Sequence, residues 1–375
     1  MEQSLRLGTF RGIPIGIHST WLIAFGLITV SLVYYYSQQY PDWSVGTNLT
    51  IGILTSLLFF ISVIGHELAH SLVALAKGIP VRSITLFVFG GISQISREAA
   101  TAAAEFQIAI VGPLSSLVIG GFFWLLSALA GNVNQPLAEA FRWLAWINVL
   151  LALFNLIPGF PLDGGRVLRS LLWWRKGDFN AATRTAANIG KLISYGFIFL
   201  GIWEVFQGFL INGLWIAFIG WFLLNAAQAN VAQLTLRDAL AGIVAANLMS
   251  RECPTVPPYI SLTDFVHDYL LRTGRRCYVV TEGSRVFGLI TPREVSAVPR
   301  TEWKTTSVAA AMTPFEKLKW VRPNESAINV MEKMNAENIN QLPVIDDGRL
   351  LGIISRETLL NQIQLYMTLY EQREV

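Results

Sequence analysis

Long apolar runs are the feature of this sequence that most restricts its fold, and they recur through the first 230 residues. Each of six runs has about the length, roughly 20 residues, that an α-helix needs to cross the hydrocarbon core of a bilayer. Only 14% of the residues are charged, whereas soluble domains have about a quarter. The sequence therefore predicts a multi-pass membrane protein with spans near residues 20–36, 51–76, 105–130, 140–158, 189–207 and 211–229.

Lysine and arginine are concentrated in alternate connections between these runs. They occur before the first run, between the second and third, between the fourth and fifth, and after the sixth, whereas the other connections contain only Arg142. Because basic residues accumulate on the cytoplasmic side, we expect both termini in the cytoplasm. A bacterial-type inner (plasma) membrane is the expected location, and the first twenty residues show no pattern of a cleavable signal.

The remaining bulk features exclude some classes of partner. The net charge of +3 is too small to indicate binding to nucleic acid. Cys253 and Cys277 have no spacing typical of a disulfide framework or a zinc site. The sequence therefore predicts a reducing compartment and no disulfide.

The second run contains the segment HELAH, which places His66, Glu67 and His70 in an otherwise apolar helix. Ionisable residues inside a span are costly unless they are compensated, so they indicate a function. At positions i and i+4, both imidazoles lie on one helical face and can bind one Zn²⁺, while Glu67 can accept a proton from water. The alternative is a pair of interfacial histidines that hydrogen-bond to neighbouring helices.

A catalytic zinc site needs a third protein ligand, and the segment NLIPGFPLDGGR offers Asp163. Pro158 and Pro161 cannot continue the fourth helix, and the glycine pair after the aspartate allows a tight turn. His66 and Asp163 both lie toward the cytoplasmic ends of spans that run in the same direction, so the two can meet. The alternative role of Asp163 is the N-cap of the next helix.

HELAH together with FNLIPGFPLDGGRVLR resembles the site-2 protease family of intramembrane zinc metalloproteases, particularly its prokaryotic branch with cytoplasmic cystathionine-β-synthase (CBS) domains. The resemblance implies that His66, His70 and Asp163 bind one zinc ion per chain and that Glu67 is the general base. It also implies that Asn155 helps to hold the substrate or the developing oxyanion, which suits its neutral amide donors. The alternative for Asn155 is a hydrogen bond in helix packing.

A β-hairpin is predicted between the second and third spans. SITLFVF favours a strand, a glycine pair supplies a turn, and ISQIS alternates apolar and polar residues. Members of the family have a similar hairpin that dips into the membrane and pairs with unwound substrate. The resemblance therefore implies substrate contacts at Gly90, Gly91, Ile92 and Ser93, through addition of an extended strand to an exposed edge. The alternative is a hairpin that only fills space.

After residue 230 the composition becomes that of a soluble protein, and two segments repeat at a spacing of roughly sixty residues. Both are similar to CBS domains, whose tandem pairs often bind adenine nucleotides. In GLITPRE, Thr291 and Glu294 fit the hydroxyl-x-x-acid pattern of that family for phosphate and ribose. GIISRET keeps the hydroxyl as Ser355 but has Thr358 at the acid position, which puts ribose binding by the second repeat in doubt. The alternative is a pair used for dimerisation or for docking on the membrane domain.

The predicted fold class is an α-helical polytopic membrane protein, followed by an α/β tandem CBS-domain module. About six transmembrane helices and a membrane-associated β-hairpin form the first part. The expected divisions are a membrane metalloprotease domain at 1–230, a linker at 231–243, CBS domains at 244–299 and 306–366, and a C-terminal tail at 367–375.

The predicted activity is hydrolysis of a peptide bond in or near the transmembrane segment of a membrane protein, modulated by the CBS domains. Expected partners are the lipid bilayer, substrates such as a membrane-tethered transcription factor or an anti-sigma factor, and further copies of the chain. One alternative is a CBS-gated metal transporter, but the outward halves of the spans offer almost no polar pathway. Another is a catalytically silent regulator, which would be expected to have lost Glu67 or a ligand.

Overall fold

The computed structural model describes residues 5–88, 90–131, 133–283, 285–347 and 349–370. The chain divides into two compact units, Met1–Ala232 and Gln233–Val375. The first unit contains, in chain order, β1 (Leu5–Phe10), β2 (Ile13–Ile17), α1 (Trp21–Gln39), α2 (Val45–Ala76), β3 (Val81–Phe87), β4 (Gly90–Ile95), α3 (Ala102–Ala130), α4 (Gln135–Asn155), α5 (Asp163–Lys176), α6 (Phe179–Phe206) and α7 (Leu210–Leu240), whose end extends into the second unit.

Six helices among the described residues are long and apolar enough to cross a bilayer, namely α1, α2, α3, α4, α6 and α7. The shortest, α1, has 19 residues, and at 1.5 Å per residue it spans about 28 Å, close to the thickness of the hydrocarbon core. The 14-residue α5 is too short to be a span and carries basic residues in its last turn. The six predicted spans are therefore confirmed.

Two helix ends differ from the predicted spans. α4 ends at Asn155 and not at residue 158, because Pro158 removes a backbone donor and disfavours helical geometry at the residue before it. α7 continues through residues 231–240, which the sequence suggested as a linker. Its final residues, Ala239 and Leu240, are buried in a hydrophobic cluster of the second unit, and this burial stabilises the helical extension.

A four-stranded sheet in the order β1-β2-β3-β4 belongs to the first unit. The β1/β2 and β3/β4 pairs are antiparallel, and β2/β3 is parallel. The β3/β4 hairpin was predicted, whereas β1 and β2 were missed. Gly90 has a φ of +125°, and Gly91 pairs with Leu86 inside β4, so the glycine pair begins the strand and does not form the turn. One edge of β4 faces no strand of the described residues.

The N-terminal half of α2 is more polar inside the bundle than the sequence suggested. Thr29 of α1 donates to Ser56 at 2.9 Å, and Thr55 lies 3.4 Å from the hydroxyl of Tyr36 on α1. The sequence suggested almost no polar residues in the outward halves of the spans, and for α2 this expectation is wrong. These short side chains hydrogen-bond to neighbouring helices, which contributes to helix association where no water is available.

The second unit contains two strand–strand–helix repeats with separate hydrophobic clusters. One sheet contains four strands, Thr255–Val256 (β5), Tyr278–Glu282 (β6), Arg285–Ile290 (β7) and Thr313–Pro314 (β8). A second sheet pairs Gln341–Asp346 (β9) antiparallel with Arg349–Ser355 (β10). The elements are α8 (Ala245–Leu248), β5 (Thr255–Val256), α9 (Leu262–Asp264), a π-helical turn (Phe265–Leu270), α10 (Leu271–Thr273), β6 (Tyr278–Glu282), β7 (Arg285–Ile290), α11 (Pro292–Ser296), α12 (Val308–Ala311), β8 (Thr313–Pro314), α13 (Ala327–Ala336), β9 (Gln341–Asp346), β10 (Arg349–Ser355) and α14 (Arg356–Tyr370), with short 3₁₀ turns at Arg300–Glu302 and Phe315–Lys317.

Candidate metal centre

Three potential metal ligands converge inside the first unit. His66 and His70 lie one turn apart on α2 and are each only 4% exposed. Oδ2 of Asp163 lies 3.1 Å from Nε2 of His66 and 3.1 Å from Nε2 of His70, and the two Nε2 atoms are 3.2 Å apart. Ligand atoms around a tetrahedral zinc ion with bonds of about 2.0 Å are about 3.3 Å apart. The spacing of the three atoms therefore matches three corners of such a site.

The Nδ1 atoms of both imidazoles have partners that suit the tautomer that metal binding requires. Nδ1 of His70 donates to the backbone oxygen of Ile108 at 2.6 Å, and because a carbonyl oxygen can only accept, Nε2 carries the lone pair. Nδ1 of His66 lies 2.9 Å from Oγ of Ser116, which can accept a hydrogen bond from it. Two lone pairs and a carboxylate oxygen then face one another, an arrangement that a cation stabilises. These residues therefore fit a zinc ion.

Asp163 is the first residue of α5, and the preceding turn directs it toward α2. The N-cap of α5 is Leu162, so the alternative role of Asp163 as the N-cap is not the one that it has. Its Oδ2 atom lies against the Nε2 atoms of both histidines, so the Asp163 carboxylate can share one cation with them.

Glu67 lies beside the ligands and contacts the predicted hairpin. Ser93 of β4 donates to Oε2 of Glu67 at 2.7 Å, and Ser71 donates to the Glu67 backbone oxygen at 2.9 Å. A Cβ atom on Gly91 would lie 2.6 Å from Cγ of Glu67, so only glycine lets β4 approach α2 this closely. The structure thus brings Gly91 and Ser93 to the Glu67 side chain. Ile92 is 41% exposed on the same strand.

Asn155 makes a local hydrogen bond at the end of α4. Its Nδ2 donates to the backbone oxygen of Leu151 at 2.9 Å. No hydrogen bond joins it to His66, His70 or Asp163 among the described residues. Its predicted part in catalysis stays a prediction.

The predicted nucleotide residues line a cavity of about 980 Å³ in the second unit. Thr291 caps α11 and hydrogen-bonds to Glu294, whose Oε2 also accepts from the Thr291 backbone at 2.9 Å. Ser355 lies 2.9 Å from the Thr358 hydroxyl. The cavity wall is predominantly basic, with two acidic side chains, Glu294 and Glu357, against five basic ones, Arg276, Arg293, Lys317, Lys319 and Arg356.

Sequence reasoning missed several side chains around the metal ligands. Ser116, Ile108 and Gly112 of α3 all lie against the histidines. In the sequence of α3, Gly112 and Pro113 are a signal for this region, but they do not indicate which helix face is involved. β1 and β2 had a usable signal, because LRLGTFRGIPIGI alternates residue types around an Arg-Gly turn.

Comparisons with known proteins identify peptidases and zinc metalloproteases among the relatives of this chain. Residues 54–135 and 130–200 match the model of peptidase family M50, and residues 244–299 and 308–365 match the CBS domain. A candidate zinc metalloprotease of Synechocystis sp. is 32% identical over 97% of this chain and 96% of its own length. A zinc metalloprotease of Methanocaldococcus jannaschii is 28% identical over 97% of both chains.

A solved structure is also similar to part of the chain. The site-2 protease from Methanocaldococcus jannaschii is 29% identical, with a TM-score of 0.42, and covers 60% of this chain and 94% of its own. The identity to the Synechocystis relative over nearly the whole length decides the assignment. This chain therefore belongs to peptidase family M50, as a membrane-embedded zinc metalloprotease of the site-2 type with a tandem pair of CBS domains.

Proposed function

We propose that the chain cleaves membrane-protein substrates in or near their transmembrane segments, at a site formed by His66, His70, Asp163 and Glu67. The observation that carries this proposal is the convergence of three ligand atoms, each 3.1–3.2 Å from the next, beside a carboxylate on a membrane-spanning helix. His66, His70 and Asp163 would hold the zinc. When bound, zinc supplies a Lewis acid that makes water more acidic and stabilises negative charge on oxygen.

Glu67 acts as the general base and then as the general acid. It accepts a proton from the water that attacks the scissile carbonyl, and it returns that proton to the leaving amine. The hydroxyl of Ser93 donates to one carboxylate oxygen and holds the side chain in place. We also propose that the Asn155 amide turns from Leu151 toward the substrate or its oxyanion when substrate binds.

The substrate segment binds as an extended strand along β4. A helical substrate shields its scissile carbonyl, so it must unwind before water can attack. The edge of β4 at Gly90, Gly91, Ile92 and Ser93 offers backbone donors and acceptors for this strand, and Gly91 and Ser93 contact Glu67 directly. Strand addition there would bring the scissile bond to the general base.

The orientation of the chain follows from its basic residues. The distribution of Lys and Arg supports cytoplasmic termini and a site near the cytoplasmic face of a bacterial-type inner membrane. Cleavage there would release a cytoplasmic fragment, such as the domain of a membrane-tethered transcription factor, or would inactivate an anti-sigma factor. This is the form of regulated proteolysis that we propose.

The CBS pair adds regulation to this activity. The basic wall of the 980 Å³ cavity, which Thr291, Glu294 and Ser355 also line, supports binding of an adenine nucleotide. Association of two chains through their CBS domains is the second regulatory route. Equilibrium dialysis of the full chain with labelled ATP and AMP tests the first route, and retention of neither nucleotide would exclude it. Limited proteolysis tests the boundaries 1–230, 231–243, 244–299 and 306–366.

The deciding experiment compares the parent protein with Glu67→Gln and with Glu139→Gln, a matched change in an ion pair with Arg142 on α4. All three are purified in detergent, their zinc is quantified, and they are incubated with single-span model substrates. We expect zinc in all three and cleavage by all except Glu67→Gln. Zinc without cleavage of several substrates would favour the transporter or silent-regulator alternatives. Absence of zinc from freshly purified parent protein would refute the ligand assignment.

A further inference from the structure

One face of α3 contacts both candidate histidine ligands and the helix that carries Asp163. Glu105, Ile108, Gly112 and Ser116 are separated by three, four and four residues, which aligns them along one side of a helix. All four are buried. We define these four residues as the inner face of α3.

The middle and end of the inner face hold the two imidazoles. The Ile108 carbonyl accepts from Nδ1 of His70 at 2.6 Å, and the Ser116 hydroxyl lies 2.9 Å from Nδ1 of His66. The Ile108 carbonyl selects the tautomer of His70, and the two bonds together fix the rotation of each ring, so that both Nε2 atoms point at Asp163. Loss of such an outer partner typically weakens metal binding by about 10- to 100-fold.

Gly112 lets the backbone of α3 lie directly against the ligand atoms. A Cβ atom at this position would lie 2.8 Å from Nε2 of His66 and closer still to Nε2 of His70. Ordinary contacts of a Cβ atom are 3.4 Å or longer. The inner face therefore also limits how far the two rings can move toward α3.

Glu105, at the start of the inner face, holds the helix that carries Asp163. Its Oε1 accepts from Nε of Arg166 at 3.0 Å and from Arg169 at 2.5 Å, and both arginines lie on α5. The guanidinium of Arg169 also lies 4.7 Å from the centre of the Phe179 ring. Glu105 is 1% exposed, and buried charges are tolerated only when they are paired. The carboxylate therefore determines where the first two turns of α5 lie.

We propose that the inner face of α3 orients all three metal ligands, with Ser116 as the positioning residue of His66 and Glu105 as the positioning residue of Asp163. This inference rests on the proposed zinc site. It predicts that changes on α3, on side chains that do not themselves bind the metal, loosen zinc and lower kcat while KM for the substrate stays the same. A role in helix packing alone would lower stability and leave zinc affinity unchanged.

The first test is Ser116→Ala, with Ser127→Ala as the matched control. Ser127 is buried on the same helix, eleven residues further on, and donates to the Ala138 backbone oxygen at 2.9 Å. Zinc affinity is measured by competition with a colorimetric chelator, and kcat and KM are measured with a single-span substrate. We expect at least about tenfold weaker zinc binding for Ser116→Ala and parent values for Ser127→Ala. An affinity of Ser116→Ala within twofold of the parent would overturn the inference for His66.

The second test is Glu105→Asp, which keeps the charge for folding but shortens the link to α5 by one methylene. Zinc affinity should fall by about tenfold, whereas Glu139→Asp on α4 should bind zinc as the parent does. A lower Tm of Glu105→Asp with unchanged zinc affinity would show that Glu105 is only structural. Parent protein that holds no zinc would refute the proposed function itself. Parent and α3 variants that hold zinc equally tightly would refute only the inference about α3.

Discussion

Substitution of Gly112 by alanine is the sharpest single perturbation of the metal centre. The new Cβ atom would lie 2.8 Å from Nε2 of His66 and closer still to Nε2 of His70. Ordinary van der Waals contacts of a Cβ atom begin at 3.4 Å. The His66 ring must therefore retreat by about 0.6 Å and the His70 ring by more. Retreat stretches the Nδ1 bonds to Ser116 and Ile108 that now orient the rings.

The size of this movement sets the expected loss. Metal–ligand distances in well-formed sites vary by only about 0.2 Å, so a shift of about 0.6 Å breaks or weakens two of the three protein ligands. We expect zinc affinity to fall on the order of 100-fold, which is about 3 kcal/mol. Proteolytic activity should fall to the background of the Glu67→Gln variant at zinc concentrations that saturate the parent protein.

Gly121→Ala is the control, because a Cβ atom at that position of α3 would meet nothing within 4 Å. It adds the same methyl group to the same helix and should keep parent zinc affinity, with a stability gain of up to about 1 kcal/mol. Both variants are assayed by chelator competition and by cleavage of a single-span substrate. Gly112→Ala that binds zinc within threefold of the parent and still cleaves would refute the reasoning from close approach.

Three further predictions concern other parts of the chain. Ser93→Ala should lower kcat by about tenfold with unchanged zinc content, because the Glu67 carboxylate loses a hydrogen-bond donor; an unchanged kcat would show that Ser93 does not orient the base. Burial raises the pKa of the Cys277 thiol to about 12, so at pH 8 it should resist a maleimide until the protein unfolds, as mass spectrometry would record. In the unfolded chain the thiol ionises near pH 8.5, so the raised pKa makes the folded state lose stability relative to the unfolded state as the pH rises from about 8.5 toward 12. Rapid labelling of Cys277 in the folded chain would contradict the burial of this thiol. Gly220→Ala should lower Tm in detergent, at a cost of about 1–3 kcal/mol, because its Cβ atom would lie 2.8 Å from the Ile198 backbone nitrogen. Gly196→Ala is the control and should keep the parent Tm, because a Cβ atom there would meet nothing within 4 Å.

Local patterns in the sequence predicted the elements that depend on neighbouring residues. The spacing of His66 and His70 follows from the helical period, and the place of Asp163 follows from the two prolines after α4 and the glycine pair in the first turn of α5. The β3/β4 hairpin was predicted from residue type and alternation. Strands β1 and β2, which were not predicted, carry a similar alternation in a segment before the first span.

Contacts between distant parts of the chain could not be predicted in this way. Glu105 and Arg169 are 64 residues apart, and His66 and Ser116 are 50 residues apart. In a soluble protein the polar face of a helix points to water, so the opposite, apolar face can be recognised as the buried one. In a bilayer both the lipid-facing and the protein-facing sides of a helix are apolar, so this distinction is lost. The sequence of α3 therefore contained no sign of which face meets the histidines.

The sequence by itself determined that the chain crosses a membrane six times, carries two imidazoles and a carboxylate that can share a metal, and ends in a repeated α/β module. Length, helical period and repeat spacing are local or periodic properties, and they survive in any packing of the helices. The tertiary structure alone decided that α3 packs against both the two histidines and α5, that Ser93 reaches Glu67, and that the Asn155 amide donates to Leu151. These outcomes depend on how the helices pack, and packing is set by close contacts such as those of Gly91 and Gly112.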